Sequence, residues 1–220
     1  MKLALFDLDN TLLNGDSDYC WAQYLIEQGV LEREFYEAKN DFFYTHYKQG
    51  TLDIVEYLNF QLGPVAGRPR EVIDAWHREF MQAKIRPIVH PGTPALLARH
   101  GEDLRAIVTA TNRFITAPIA RELGVEHLIA CDVEELPDGR LTGRPRGTPS
   151  FREGKIARVH EWLDTLGHRL GDFEETWFYS DSLNDLPLLE LVSHPVAVDP
   201  DPTLERVAGE RGWPVMRLKA

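Results

Sequence analysis

The sequence predicts an α/β fold: a parallel sheet with helices on both faces and a bundle of helices inserted after the first strand. Three observations carry this. Five short apolar runs, Lys2–Phe6, Leu104–Val108, His127–Cys131, Thr176–Tyr179 and Pro195–Val198, read as buried strands. Most are separated by helix-like segments, and alternation of buried strand and helix marks a parallel sheet. Residues 14–86 carry no strand pattern at all.

Taken in chain order, KLALF is the first strand and ends against Asp7 and Asp9. Four helical segments follow: SDYCWAQYLIEQG, LEREFYEAKNDFFYTHYKQG, TLDIVEYLNFQLG and PREVIDAWHREFMQAK. Gly29, Gly50 and Gly63 punctuate them, and Pro69 stands at the start of the fourth. Phe35, Phe42, Phe43 and Tyr47 are expected to pack the core of this bundle. The chain re-enters the sheet unit near IRPIVHPG. PALLARHG and ITAPIARELG are helices stopped by Gly101 and Gly124. DVEELPDGRLTGR predicts a β-hairpin about Asp138-Gly139, a turn pair that tolerates positive φ. RPRGTPSFREG is a loop. In SLNDLPLLELV, Pro187 fits a first helical turn, where its missing N–H is not needed. The predicted organisation is therefore an α/β unit of residues 1–13 and 87–220, interrupted by a helical unit of residues 14–86.

Composition narrows the classes. With 220 residues, 43% apolar content and ten Phe, the chain can bury a sizeable core. A net charge of −11 without a Lys/Arg block argues against a nucleic-acid surface and fits ordinary solubility. Cys20 and Cys131 are far apart and in no metal-type spacing, which suits a reducing compartment. No leader pattern opens the chain, and no apolar run nears the roughly 20 residues that span a bilayer. The expectation is a soluble, cytoplasmic protein with neither a nucleic-acid nor a membrane partner. Oligomeric state is left open.

Candidate chemistry sits at the strand ends. In open α/β sheets the carboxyl ends of the strands are where ligands bind. Asp7 and Asp9 follow the first strand. Asp181, with Asn184 and Asp185 behind it, follows WFYS. Two strand ends offering carboxylates suit Mg²⁺, which prefers one or two carboxylates, waters and a substrate phosphate. A calcium loop starting at Asp7 fails, because its fifth and sixth places hold Thr11 and Leu12. Carboxylates repel a phosphate dianion by about 4 kcal/mol at 4 Å and an effective dielectric of 20. Cations must offset this, and Lys155 in REGKIARV offers one. Thr109 and Thr111, in AIVTATN, offer hydroxyls to phosphoryl oxygens.

DLDNT, VTAT, the Lys of GK and SDSLND stand in the order of the four motifs of the haloacid dehalogenase-like hydrolases, and the pattern resembles that family over nearly the whole chain. The helical insertion after the first motif resembles the phosphoserine-phosphatase-like subfamily. The resemblance implies a Rossmann-like core with a helical cap. It implies Asp7 as a nucleophile that becomes phosphorylated and Asp9 as general acid and base. It implies Thr109 as the second-motif hydroxyl and Lys155 as the charge-neutralising cation. Mg²⁺ would be held by Asp7, Asp181 and the Asp9 carbonyl, with Asn184 and Asp185 behind them. Asp9 should have a raised pKa from burial and from the Asp7 charge.

The second motif departs from that subfamily. Where Ser-Gly-Gly is typical, this chain has Thr109-Ala110-Thr111-Asn112, so side chains fill space those enzymes leave open. Asp16 falls near an acid that faces a substrate amine in them. Thr111, Asn112 and Arg113 are further candidates for substrate binding, as are His46 and Lys48 in the insertion. The expected activity is Mg²⁺-dependent hydrolysis of a small phosphorylated metabolite, such as phosphoserine or histidinol phosphate. The alternatives are a phosphotransferase or mutase using the same aspartyl-phosphate, or a phosphate-binding protein without turnover.

Overall fold

β1 (Lys2–Phe6) runs between two strands that are distant from it in sequence, β2 (Leu104–Asn112) and β5 (Glu175–Ser180). The computed structural model describes residues 1–218. Within them β3 (His127–Glu135), β4 (Leu141–Arg146), β6 (His194–Val198) and β7 (Val215–Met216) complete a sheet of order β4-β3-β2-β1-β5-β6-β7. Neighbouring strands are parallel except β3 and β4, the hairpin that turns at Asp138-Gly139 with Gly139 at φ 81°. The α/β expectation holds, with a seven-stranded sheet among the described residues.

The five apolar runs became strands because their side chains are wanted on both faces. Leu3 and Leu5 pack with Val108, Ile129 and Phe178 on one face. Ala4 and Phe6 pack with Ile107, Tyr179 and Val198 on the other. Alternate residues thus enter opposite cores, and a doubly covered strand reads as an unbroken apolar run. β2 is longer than predicted, and its pairing with β3 slips between Val108 and Asn112. The slip turns Thr109–Asn112 out of the regular ladder at the edge where β1 ends.

The insertion is helical: α1 (Ser17–Glu27), α2 (Arg33–Gln49), α3 (Ile54–Leu62) and α4 (Arg70–Phe80). Asp16 and Asp53 cap α1 and α3 by accepting from backbone N–H groups, and Gly50 ends α2 at φ 70°. α4 passes into a π-helical turn, Met81–Ile85, that no sequence signal announced. Trp21 fixes the insertion to the sheet unit. Its ring meets Phe80 and, at 5.5 Å, Phe114 of α6 (Arg113–Glu122). The expectation for the aromatics of α2 needs correction. Phe43 is buried, but Phe35 and Phe42 are 52% and 47% exposed. Adjacent helical positions point about 100° apart, so Phe42 and Phe43 cannot share one buried face. Tyr47 leaves the bundle core altogether and reaches the sheet edge.

The rest of the sheet unit comprises α5 (Thr93–Arg99), α7 (Glu153–Thr165), the short α8 (Leu186–Leu189) and α9 (Pro202–Arg211). No described helix is long and apolar enough to cross a membrane.

Candidate active site

The central place of β1 is what assembles the site. The carboxyl ends of β2, β1 and β5 lie side by side, so residues about 100 and 170 positions from Asp7 and Asp9 come to the same edge. Lys155 stands in the first turn of α7, 2% exposed. Its Nζ donates to Asp7 Oδ1 at 2.8 Å and to Asp185 Oδ2 at 2.7 Å. Asp185 also accepts from the Ser180 hydroxyl at 2.7 Å. Glycine is required at 154, because a Cβ there would run into the Pro149 carbonyl and push the Lys155 turn outward.

Thr11, which sequence reasoning quoted without a role, joins two of the strand ends. Its hydroxyl lies 3.3 Å from Asp7 Oδ2 and 3.1 Å from Asp181 Oδ1, and it accepts from the Asp181 N–H. Asp9 turns the other way. Its Oδ1 accepts from the Ser17 N–H at 2.7 Å, and its Oδ2 accepts from the hydroxyls of Thr111 at 2.8 Å and Thr109 at 3.4 Å. The two acids that stand two apart in sequence are therefore held by different partners. Asn10 between them takes φ 58°, a conformation Asn tolerates.

Asp7, Asp9, Thr109, Thr111, Lys155 and Asp185 open onto a cavity of about 410 Å³, whereas Thr11 and Asp181 are not among its lining residues. Asp7, Asp9, Thr109, Thr111 and Lys155 form its floor. Residues of α1, α2 and α3, among them Asp16, Asp18, Asn40, Tyr44 and Tyr57, form its far wall.

The family model for haloacid dehalogenase-like hydrolases matches residues 4–190. This chain is a haloacid dehalogenase-like hydrolase. It is 47% identical over 220 residues to a histidinol-phosphatase of Neisseria meningitidis serogroup C (strain 8013), covering 99% of both. It is 32% identical to a phosphoserine phosphatase of Mycobacterium tuberculosis (strain ATCC 25618 / H37Rv), over 96% of this chain and 69% of that one. Among solved structures, a protein of unknown function from Bordetella pertussis Tohama I superposes with TM-score 0.92 and 49% identity, covering 99% and 98% of the two chains. A substrate-bound phosphoserine phosphatase gives TM-score 0.67 at 19% identity, with 98% and 92% covered, which shows the shared fold. The two curated relatives of the hydrolase named here are phosphatases.

The hydrolase brings most of the candidate residues together, but not all. Asp16 lines the cavity while its Oδ1 accepts from the Tyr19 N–H, so it caps α1 and faces the cavity at once. Asn112 is spent elsewhere: its Oδ1 accepts from the Ile115 N–H and its Nδ2 donates to Asp18. Arg113 does not reach the cavity. Its guanidinium donates to Asp132 at 2.6 Å, an acid that also binds Arg158, and to the Leu128 carbonyl. A carboxylate on the adjacent strand, Asp132 of β3, takes that fork instead. Asn184 does not turn to the carboxylates either. It accepts from Arg152 Nε and donates to the Tyr47 carbonyl, tying α2 to the sheet edge. His46 bonds to Thr51 and Lys48 lies over the Tyr44 ring, and neither lines the cavity. Tyr47, missed as a site residue, does line it and donates to the Ser182 hydroxyl.

Burial sets the electrostatics. Desolvation pushes Asp7 up to about 7 against the pull of the Lys155 charge. Desolvation pushes Asp9 up to about 6, and the next cause is the Asp16 charge rather than the expected Asp7 charge. Asp181 is raised well above the usual range by burial, then by Asp7 and Asp185. Burial alone would lower the Lys155 amine, but the Asp185 and Asp7 charges outweigh it and keep it protonated.

The donor set fits a hard dication. The Asp185 charge helps to raise Asp7, and the Asp7 and Asp185 charges help to raise Asp181, while among the described residues Lys155 is the basic side chain bonded to Asp7 and Asp185. That surplus of desolvated negative charge calls for another cation. Among the described residues no group of three or more His, Cys, Asp or Glu forms a metal cluster. Asp7 and Asp181, joined through the Thr11 hydroxyl, are two carboxylates that could hold such an ion, a number compatible with magnesium.

A pH dependence follows for the protein without divalent metal. The folded-state values near 7 for Asp7 and 6 for Asp9 exceed the unfolded value of about 3.9. Their stabilisation is complete at low pH and is lost as pH rises through 6 and then 7. The chelated protein should therefore melt at a higher temperature at pH 6.5 than at pH 8, measured by circular dichroism. Buried His77, whose pKa is lowered first by desolvation, acts in the opposite sense but only below its unfolded value of about 6.5. A melting temperature that falls between pH 8 and 6.5 would contradict the assignment of cause.

Proposed function

We propose that this hydrolase is a magnesium-dependent phosphatase of a small cationic phosphomonoester, with histidinol phosphate as its substrate rather than phosphoserine. Residues 14–86 act as the cap and residues 1–13 with 87–220 as the catalytic unit. The observation that carries the substrate choice is charge. Asp7, Asp9, Asp16, Asp18, Asp41 and Asp185 line the cavity, and Lys155 is the one Lys, Arg or His among the described lining residues. Lys155 already serves Asp7 and Asp185. Phosphoserine brings a carboxylate that would find no cation there. Histidinol phosphate has an ammonium and no carboxylate. The 47% identical relative from Neisseria meningitidis is a histidinol-phosphatase, which supports the same reading.

In this reading an Asp7 carboxylate oxygen attacks phosphorus while the bond from phosphorus to the substrate oxygen breaks. Asp9, neutral in part because burial raises its pKa to about 6, gives its proton to the departing oxygen. Thr111 and the Ser17 N–H hold Asp9 in place. Water then attacks the phosphorus of the aspartyl-phosphate, Asp9 takes the water proton, and Asp7 is released with inorganic phosphate. Lys155 offsets charge on Asp7 throughout. Bound magnesium, held by Asp7, Asp181 and the Asp9 carbonyl, would supply charge neutralisation at the phosphoryl oxygens.

Phosphate release with magnesium, measured for histidinol phosphate and phosphoserine, tests this. A carboxylate about 6 Å from one uncompensated acid costs about 3 kcal/mol at an effective dielectric of 20, or roughly 100-fold. kcat/KM for histidinol phosphate should exceed that for phosphoserine by about this factor. Equal values would overturn the substrate reading.

A further inference from the structure

The far wall of the cavity holds a buried polar chain with one unfinished end. Asn112 Nδ2, at the end of β2, donates to Asp18 Oδ1 at 3.2 Å. The Tyr57 hydroxyl donates to Asp18 Oδ2 at 3.4 Å. Gln61 Nε2 lies 2.9 Å from the Tyr57 oxygen and 3.4 Å from Asn40 Oδ1. The chain crosses from the sheet unit through α1 and α3 to α2, and each link fixes the next. Because Asn40 Oδ1 receives the Gln61 amide, Asn40 Nδ2 is the group left over. It is buried and has no hydrogen-bond partner, on a side chain only 6% exposed. Asn40 lines the cavity. A buried donor without an acceptor is costly, and such groups are rare in folded proteins.

The surroundings limit what can complete it. The missing partner must be an acceptor, because Nδ2 can only donate. An anionic acceptor is disfavoured by Asp16, Asp18 and Asp41 on the same wall. Phe43 and Tyr57 stand edge to face there, with centroids 5.3 Å apart, and present aromatic surface. A neutral ring nitrogen satisfies all three conditions: it accepts, it carries no negative charge, and its ring packs on aromatic walls.

We propose that Asn40 is a specificity-determining residue that donates its orphan amide N–H to an unprotonated nitrogen of a substrate imidazole, with the wall acids receiving the substrate's N–H and ammonium groups. This rests on the substrate reading above and adds the residue that reads the ring. Asn40 thereby separates an imidazole-bearing phosphomonoester from an equally cationic one without a ring.

The test compares histidinol phosphate, phosphoethanolamine and p-nitrophenyl phosphate at pH 8, where an imidazole of ordinary pKa, about 6.5, is neutral. Wild-type protein is set against Asn40→Leu and Asn40→Asp. The second keeps an oxygen to receive Gln61 and exchanges the amide donor for a carboxylate oxygen, so it remains informative if the first fails to fold. Each variant should lose about 10- to 100-fold in kcat/KM on histidinol phosphate. Asn40→Leu should stay within about twofold of wild type on phosphoethanolamine and p-nitrophenyl phosphate, and Asn40→Asp, whose added carboxylate also acts on an ammonium, should do so on p-nitrophenyl phosphate. Equal losses on all three substrates, or no loss on any, overturn the assignment of Asn40. A wild-type protein that does not prefer histidinol phosphate to phosphoethanolamine overturns the reading of the ring itself, and Asn40 with it.

Discussion

Asp7→Asn is expected to lower phosphate release by on the order of 10⁵-fold or more, the scale on which removal of a nucleophile acts. No phosphorylated intermediate should form, which acid-quenched labelling would register as the absence of protein-bound phosphate. The same substitution should leave the fold intact or tighten it. Asp7 is a buried carboxylate whose desolvation pushes its pKa to about 7, and an amide of the same shape removes that charge. Lys155 keeps Asp185 as its counter-ion. The melting temperature in chelator should therefore equal or exceed wild type at pH 8. Residual turnover near the wild-type rate would show that Asp7 is not the attacking group.

Lys155→Met should damage both activity and stability. The amine is 2% exposed and holds Asp7 and Asp185 at 2.8 and 2.7 Å. Removing one member of a buried ion set leaves the others uncompensated, at about 3–5 kcal/mol. For a chain of this size that corresponds to a fall in melting temperature of roughly 10 °C. Loss of the amine also removes the charge that pulls the Asp7 pKa down against burial, so Asp7 binds its proton more tightly in the folded variant. The Asp7 contribution is then kept at low pH and lost as pH rises, and the deficit should deepen from pH 6 to pH 8. Turnover should fall by about 10³-fold, the scale of losing one aligned electrostatic group. A variant as stable as wild type at pH 8 would mean the three groups are not one electrostatic unit.

The motif residues were legible because their local geometry is written in short stretches. An apolar strand followed by DLDNT or SDSLND places acids at a strand end whatever the rest of the chain does. The same holds for the hairpin at Asp138-Gly139. Arg113 shows where this stops. It follows the second motif in sequence, yet its guanidinium is taken by Asp132, nineteen residues on, because β3 pairs beside β2. Phe35 and Phe42 were expected inside a bundle whose helices do not cover them. The Asp9 carboxyl was expected to feel Asp7 first, but Asp16 acts on it more strongly, since the turn after β1 brings α1 back over the site.

By itself the sequence determined which groups carry charge and which end of a strand holds them. Those properties depend on the two-residue period of a strand, on turn residues and on the chemistry of single side chains. The tertiary structure decided who meets whom. Only the strand order β2-β1-β5 brings Thr11 to Asp181, 170 residues away, and only packing of α1, α2 and α3 over that edge leaves the Asn40 Nδ2 group without a partner in the cavity wall. The physical reason is range. Backbone preferences act over a few residues, whereas pairing of buried polar groups is fixed by the packing of the whole chain, in which every desolvated group competes for the partners that packing brings within reach.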